Sequence, residues 1–325
     1  MISTVLRRYA GAMLALAICS ACSGAPAIAP SNAAPDAEYV GKTTAAHPYM
    51  GARPRFATLV PNRVPSNAYE YIIDDYGTYA SIFDYPKSDK EIGSINNVGG
   101  QGCTNVLYGN GKQTFWIVAG RKQITLYQVP RKALKTLSIS GGKPSSCAMD
   151  TNGDLAVGNL SNGDIVIFKN ASGSGTEMAT PLTGEYFDGY DNNGNLFFDG
   201  YNGSDSFELV ELPKGSSTFQ PITTSNSVQF PGSVQWDGTY LTVTDQRADA
   251  IYQYTVSGTK AMLKGTVSLT DAGDCAQTWI GTGVVFCADA GYGDGEVFKY
   301  PAGGSAIAIL TGDFDLPLGT VAAAK

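Results

Sequence analysis

The sequence predicts an all-β domain in which one repeat of strands recurs six times. The 325 residues include 39 Gly, 18 Tyr and 13 Phe, whereas only 16% are charged, a composition typical of turn-rich chains with aromatic residues in their strands. A unit of about 41 to 46 residues recurs along the chain, which is the spacing of propeller blades. The first and last copies of this unit are incomplete and complement each other. These observations predict a six-bladed β-propeller whose first blade is closed by the C-terminal strand.

Residues 1–22 are predicted to be a signal peptide for export. Arg7 and Arg8 form a positively charged start, and the apolar segment after them is too short to cross a bilayer. Small residues stand immediately before Cys22, as in the cleavage site of bacterial lipoproteins. We therefore expect Cys22 to carry the lipid anchor; ordinary signal-peptide cleavage is the alternative.

Residues 23–66 are predicted to form a tether. The segment is rich in Ala, Pro and Ser, with seven prolines and no apolar period. The only histidine of the chain, His47, lies in it and is expected to be a solvated linker residue. The propeller is therefore expected to span residues 67–325.

The strongest strand of the repeat alternates bulky apolar and polar residues, as a half-buried strand does. It is followed each time by a turn and a further strand. Its six copies are residues 82–86, 126–130, 167–171, 209–213, 251–255 and 297–301.

A second motif follows each copy and is clearest at residues 144–157. It predicts an inner strand, a tight turn and another strand. The last copy, residues 317–321, has no successor, and the first blade, from about Tyr69, has no predecessor. Pairing of these two ends would close the ring and remove exposed sheet edges. The positions equivalent to Cys147 are Cys103, Asp188, Ser233, Cys275 and Thr320.

The pattern Pro-x-x-Cys-Ala-Met-Asp-x-x-Gly-Asp-Leu-Ala-Val at 144–157, followed by Ile-Val-Ile-Phe at 165–168, resembles the blade repeat of NHL-type propellers. These are related in shape to the SMP-30/gluconolactonase group. The resemblance covers about residues 67–325 and implies a fold rather than one function, because that fold hosts lactonases, lyases, binding proteins and scaffolds.

Four cysteines remain outside the signal peptide, and an exported protein can keep them oxidised. Cys275 and Cys287 are symmetric about Gly281, so a hairpin turning there brings them together on adjacent strands. Cys103 and Cys147 occupy the same repeat position in neighbouring blades. Both pairs are predicted to be structural disulfides; reactive thiols or metal ligands are the alternative, which the lack of an accompanying histidine disfavours.

Charge and composition indicate which classes of binding partner the protein can have. The net charge is −7 and no run of Lys or Arg marks a surface for phosphates, so nucleic acid is not expected. Membrane contact is expected only through the lipid anchor, and the protein is expected to be a monomer. Without a histidine after His47, neither a Ser-His-Asp triad nor a histidine proton relay can be built in the propeller.

The predicted site lies where the inner strands converge around one axis, because ligand sites combine aromatic faces with a few hydrogen-bonding groups. Its residues are Gln101, Tyr186, Asp188, Gln235 and Asp274. We expect a non-enzymatic, extracytoplasmic protein that binds a small ligand, a glycan or a protein partner at the mouth of the channel. No cofactor is expected, although the two aspartates leave a divalent cation such as calcium open. The alternative function is a metal-dependent lactonase or related hydrolase of the SMP-30/gluconolactonase type.

Overall fold

The computed structural model describes residues 68–75, 78–107, 113–119 and 122–325, without the side chains of 104–107. The predicted signal peptide, Cys22, the tether and His47 lie outside these residues. Within them the chain is all-β, with a 3-10 turn at Lys169–Ala171. None of the described helical residues forms a span long and apolar enough to cross a membrane.

The strands, in chain order, are β1 (Ala68–Asp74), β2 (Tyr79–Tyr85), β3 (Glu91–Asn96), β4 (Gly102–Leu107), β5 (Gln113–Val118), β6 (Gln123–Gln128), β7 (Lys132–Ser138), β8 (Pro144–Met149), β9 (Leu155–Asn159), β10 (Ile165–Phe168), β11 (Thr176–Met178), β12 (Gly184–Tyr190), β13 (Leu196–Tyr201), β14 (Phe207–Leu212), β15 (Gln220–Thr224), β16 (Pro231–Trp236), β17 (Leu241–Asp245), β18 (Ala250–Ser257), β19 (Lys260–Thr270), β20 (Cys275–Ile280), β21 (Val284–Asp289), β22 (Asp294–Lys299), β23 (Gly304–Ser305), β24 (Ala308–Leu310) and β25 (Pro317–Ala324). Each copy of the strongest predicted strand begins in one of the even-numbered strands β2, β6, β10, β14, β18 and β22.

Hydrogen bonding arranges these strands in antiparallel units of four. Four units are separate sheets, with the orders β25-β1-β2-β3, β4-β5-β6-β7, β8-β9-β10-β11 and β20-β21-β22-β24. The predicted closure is present, since β25 pairs with β1 along its length, from Ala68 opposite Ala324 to Asp74 opposite Pro317.

The remaining strands form one nine-stranded sheet rather than two separate blades. Its order is β12-β13-β14-β15-β19-β18-β17-β16, with β23 beside β19. Two antiparallel units are joined here because β15 and β19 pair in parallel over two residues, Thr223 with Lys260 and Thr224 with Ala261. The inner ends of this sheet, β12 and β16, also lie side by side, so the sheet is nearly closed.

The first strand of each unit, here called an inner strand, lies beside the inner strands of the units before and after it. The order is β25, β4, β8, β12, β16, β20 and back to β25. Buried apolar side chains fill the space between neighbouring units, as where Trp116 and Phe168 share one cluster and Phe198 and Ala156 share another. This arrangement is propeller-like, and it brings one strand of every unit towards a common axis.

A repeated polar contact fixes the loop before several inner strands. The second strand of the unit ends in Asp or Asn, whose side-chain oxygens accept backbone N–H groups from that loop. Such contacts satisfy donors that would otherwise be buried without a partner. They run from Asp315 and Leu316 to Asp74 (2.6 and 3.2 Å), from Lys143 to Asn159 (2.9 Å), from Gln229 and Phe230 to Asp245 (2.8 and 3.2 Å), and from Gly273 and Asp274 to Asp289 (2.6 and 3.0 Å).

Both predicted disulfides are present. Cys103 and Cys147 join the inner strands β4 and β8, and Cys275 and Cys287 join β20 and β21; each pair has a Cα separation of 5.4 Å. Cys275 is not directly opposite Cys287, because a bulge after Cys275 shifts the register of the hairpin. Two disulfides fit an oxidising, extracytoplasmic environment.

Candidate functional site

Gln101 and Tyr186 are brought together by the inner strands. With its amide turned so that both groups are satisfied, Gln101 donates to the carbonyl oxygens of Ser145 and Tyr186, each at 3.2 Å. Gln101 is buried, so these bonds connect the start of β4 with β8 and β12 across one intervening unit. Its role in the fold is therefore to bridge inner strands.

Tyr186 belongs to an aromatic group in which rings meet edge to face. Its ring centroid lies 5.4 Å from that of Tyr201 and 6.3 Å from that of Phe230, and the latter two are 6.0 Å apart. Tyr186 and Tyr201 are both partly exposed. Such a group offers ring faces on which a sugar or another flat apolar surface can pack.

Asp188 is a buried carboxylate without a hydrogen-bond partner. Its side chain belongs to inner strand β12, the residue is 7% exposed, and neither carboxylate oxygen meets a donor. Burial, and then the negative charge of Glu185, raise the pKa of Asp188 well above its ordinary value, and the nearby Ser146 hydroxyl opposes this shift only in part. A group in this state demands either a proton or a ligand that donates hydrogen bonds.

Glu185, on the same strand, is buried but well supplied with donors. The Ser145 hydroxyl lies 2.7 Å from its Oε2, and the Ser146 hydroxyl donates to its Oε1 at 2.8 Å. A Cβ at Gly158 would overlap this carboxylate, so only glycine leaves room for Glu185 between the two units. Burial raises the pKa of Glu185 to about 7, against the opposing effect of the two serine hydroxyls.

Asp199, on β13, is the third carboxylate of this region. It is fully buried and both of its side-chain oxygens lack a partner. Burial, followed by the charge of Glu185, raises the pKa of Asp199 well above its ordinary value, against the weaker opposing effect of the Phe187 and Gly232 N–H groups. The unit formed by β12 to β15 therefore has three buried acidic groups on its first two strands.

Gln235 is used inside the protein, as a link between two inner strands. Its Oε1 accepts the N–H of Ile280 at 2.9 Å, and its amide nitrogen lies 3.5 Å from the Ile280 carbonyl. Gln277 also links inner strands, although the sequence analysis did not identify it. Its amide donates to the Gly102 carbonyl at 2.7 Å, and its oxygen accepts the N–H of Thr320 at 2.7 Å. Glutamines on inner strands thus connect the units.

Asp274 lies just before β20, and its charged neighbours differ from those of Asp188. Burial, and then the charges of Asp289 and Asp249, raise the pKa of Asp274 to about 6, while Arg247 opposes the shift. Arg247 is exposed and also acts on Tyr201 of the aromatic group. Asp188 and Asp274 therefore have separate electrostatic neighbours, and the grouping of all five predicted residues around one opening stays a prediction.

Sequence reasoning missed Tyr201, Phe230, Glu185 and Asp199. No motif marks them, because their importance comes from neighbours on other strands. One signal was available for Glu185, since a glycine in a strand interior indicates a close approach by another group, and Gly158 is such a position.

Comparisons with known proteins identify the fold and no family. No protein-family model and no curated protein matches the chain. A Bacteroides caccae protein of unknown function matches 80% of this chain and 100% of its own, with 13% identity and a TM-score of 0.59. Virginiamycin B lyase from Staphylococcus aureus matches 79% of this chain and 94% of its own, with 12% identity and a TM-score of 0.54.

A second structure of that lyase, described as a catalytically inactive histidine-to-alanine variant with quinupristin, matches 74% of this chain and 84% of its own, at 13% identity and a TM-score of 0.51. At such low identity, these likenesses concern the fold alone.

Proposed function

We propose that the protein is a non-enzymatic, extracytoplasmic propeller that binds a small ligand or glycan where its inner strands converge. The observation that carries this proposal is Asp188, a carboxylate on an inner strand whose two buried oxygens have no donor. Buried polar groups in folded proteins are nearly always paired, so each exception requires a reason. A ligand with hydroxyl or N–H groups supplies one.

The proposal includes six blades. The nine-stranded sheet divides into two four-stranded units once its two-residue parallel junction is set aside. Six buried apolar clusters support that division, because each one joins two units that are neighbours in the ring. An NHL-type repeat is the proposed origin of the blades.

The chemistry of the ligand follows from the surroundings of Asp188. Asp188, Glu185 and Asp199 favour donors over acceptors, and they disfavour an anion. The rings of Tyr186 and Tyr201 offer an apolar face. A neutral polyhydroxylated molecule, such as a short glycan, fits both features.

The lyase reaction is not proposed for this chain. The inactive variant of the lyase replaces a histidine, whereas this chain has one histidine, His47, before the residues of the propeller. A metal-dependent lactonase or related hydrolase is the alternative function, and it would require a divalent ion with free coordination positions near the axis.

The test is a binding screen on the mature full-length protein. Neutral mono- and oligosaccharides, short peptides and quinupristin are screened by thermal shift, and positives are measured by calorimetry. The Asp188→Ala variant should weaken binding about tenfold or more, the effect of losing one hydrogen bond to a charged group. The matched variant Asp313→Ala, at an exposed position, should bind like the wild type.

Catalysis would overturn the proposal. The same preparations are incubated with a panel of lactones and esters, with and without added Mg²⁺, Ca²⁺ or Mn²⁺. Turnover that depends on metal and is abolished by EDTA would favour the hydrolase. Equal ligand affinities of Asp188→Ala and Asp313→Ala would remove Asp188 from the site.

The proposal also places the protein at the cell envelope, held by a lipid on Cys22 with residues 23–66 as tether. The sequence before Cys22 and the two disulfides support export. Mass spectrometry of the mature protein measures the N-terminal residue. An unmodified start beyond residue 22 would exclude the anchor.

A further inference from the structure

A second acidic region lies away from Asp188, between the sheet of β20 to β24 and the turn between β17 and β18. We call it the acidic cluster. Three members come from one hairpin, and the fourth comes from the turn of the neighbouring unit. The members are Asp289, Asp294, Glu296 and Asp249, and the charges of the other three act on Glu296.

The backbone fixes three of these residues on one hairpin. Asp289 ends β21 and Asp294 begins β22, and the two are directly opposite each other in the antiparallel register. Glu296 is two residues further along β22, so it points to the same face of the sheet as Asp294. Opposite Glu296 in the register is Cys287 of the disulfide.

Asp289 is held rigidly. Besides the N–H groups of Gly273 and Asp274, its carboxylate accepts those of Gly291 and Tyr292, at 2.8 and 3.0 Å. Three of these four bonds go to Oδ1, which leaves Oδ2 with one N–H donor. A carboxylate fixed in this way is preorganised to bind a further positive group.

Three other oxygens of the cluster are buried without a hydrogen-bond partner. They are Oδ1 of Asp249, Oδ1 of Asp294 and Oε2 of Glu296. Glu296 is only 4% exposed, and one of its carboxylate oxygens lies within 4.8 Å of an oxygen of Asp289. A buried glutamate with one unpartnered oxygen, close to a second carboxylate, is the feature that separates this cluster from an ordinary acidic surface.

The charges of the cluster are poorly balanced by protein groups. Burial, then the charges of Asp289 and Asp294, and also a side-chain hydrogen bond with Asp289, raise the pKa of Glu296 to about 8. Burial and the charge of Asp289 raise the pKa values of Asp249 and Asp294 to about 6. These directions mean that the cluster takes up positive charge readily, as a proton or as a metal ion.

We propose that the acidic cluster is a binding site for one Ca²⁺ ion. Hard cations select oxygen ligands, and calcium takes six to eight of them, from carboxylates and water, in flexible geometry. The neighbouring sulfur atoms belong to the Cys275–Cys287 disulfide, so they are not thiolate ligands for zinc. The ion would join the turn before β18 to the hairpin of β21 and β22, and would stabilise the contact between the two units.

The test measures calcium binding to the mature full-length protein after treatment with EDTA and its removal, at pH 8. Calorimetry with CaCl₂ should give one site, and the melting temperature should rise with calcium concentration, because an ion that binds only the folded state stabilises it. Magnesium should have a smaller effect. Glu296→Gln should lower calcium affinity on the order of tenfold or more, since affinity follows the number of charged ligands.

The matched control is Glu177→Gln, which removes one charge from an exposed strand. It should bind calcium like the wild type. Asp294→Asn provides a second test if Glu296→Gln does not fold. Absence of a calcium-dependent shift in the wild type, or equal affinities in Glu296→Gln and Glu177→Gln, would overturn the site and leave a proton shared between Asp289 and Glu296 as the explanation.

Discussion

Asp245 and Asp188 are buried aspartates on neighbouring repeat units, but they differ in their hydrogen-bond partners. The carboxylate of Asp245 accepts the N–H groups of Gln229 and Phe230, which fixes the loop before β16. Both oxygens of Asp188 lack a donor. The carboxylate of Asp245 stabilises the fold through these hydrogen bonds, whereas that of Asp188 makes no such contribution.

The difference lies in position within the unit. The end of the second strand faces a loop whose N–H groups have no partner in the sheet, so an acidic or amide side chain there stabilises the fold. The N–H groups of an inner strand are used in the ladder or by side chains of a neighbouring inner strand, as where Thr320 donates to Gln277, and neither oxygen of Asp188 has such a partner. An unpaired carboxylate at that position is costly, and a binding function explains its presence better than stability does.

Replacement of Asp245 should have the largest effect. Asp245→Ala leaves two backbone N–H groups without an acceptor, and we expect the free energy of unfolding to fall by about 3 kcal/mol. Asp188→Ala removes a buried carboxylate whose oxygens have no donor, so the free energy of unfolding should stay unchanged or rise, by up to about 2 kcal/mol. Chemical denaturation of the wild type and both variants, fitted with one shared dependence of the free energy of unfolding on denaturant concentration, measures the difference.

Asp245→Asn is the control for shape. It keeps one acceptor oxygen, so its loss should be smaller than that of Asp245→Ala. If Asp188→Ala destabilises the protein as much as Asp245→Ala, the distinction between the two carboxylates is wrong and Asp188 has a structural role.

The same positional rule explains how much of the fold the sequence predicts. The six strong strands, the closure by residues 317–321 and both disulfides follow from period and spacing, because these are properties of one repeat. The joining of two units through Thr223 and Lys260 does not, since it is a two-residue parallel contact between the fourth strands of two units, which no period of the repeat marks.

The candidate site is less predictable from sequence, because hydrogen bonds determine which polar side chains are used within the fold. Gln101, Gln235 and Asp188 all lie on or next to inner strands, yet the two glutamines are bound to backbone groups of other strands and Asp188 is not. A one-residue change in register or a bulge, such as that after Glu185, alters which group a side chain meets. Sequence periodicity contains no information about these partners.

The pH dependence of stability should give the smaller and more specific effect. Burial raises the pKa of Glu185 from an ordinary value of 4.5 to about 7, so the folded protein binds a proton that the unfolded chain releases. The stability from this proton is complete below about pH 4.5 and is lost as the pH rises through about 7. The free energy of unfolding should therefore fall between pH 5 and pH 8, by about 2 kcal/mol from this group.

Glu185→Gln separates this contribution from those of Asp188 and Asp199, which have the same sign. The amide of this variant would stay neutral at all these pH values and can still accept from Ser145 or Ser146, so the variant should lose less stability than the wild type between pH 5 and pH 8. Glu177→Gln, at an exposed position, should follow the wild type. EDTA in all samples removes any effect of calcium on the acidic cluster. Parallel pH curves for Glu185→Gln and the wild type would show that Glu185 is already ionised at pH 5, and the serine hydroxyls would then suffice to hold its charge in a buried site.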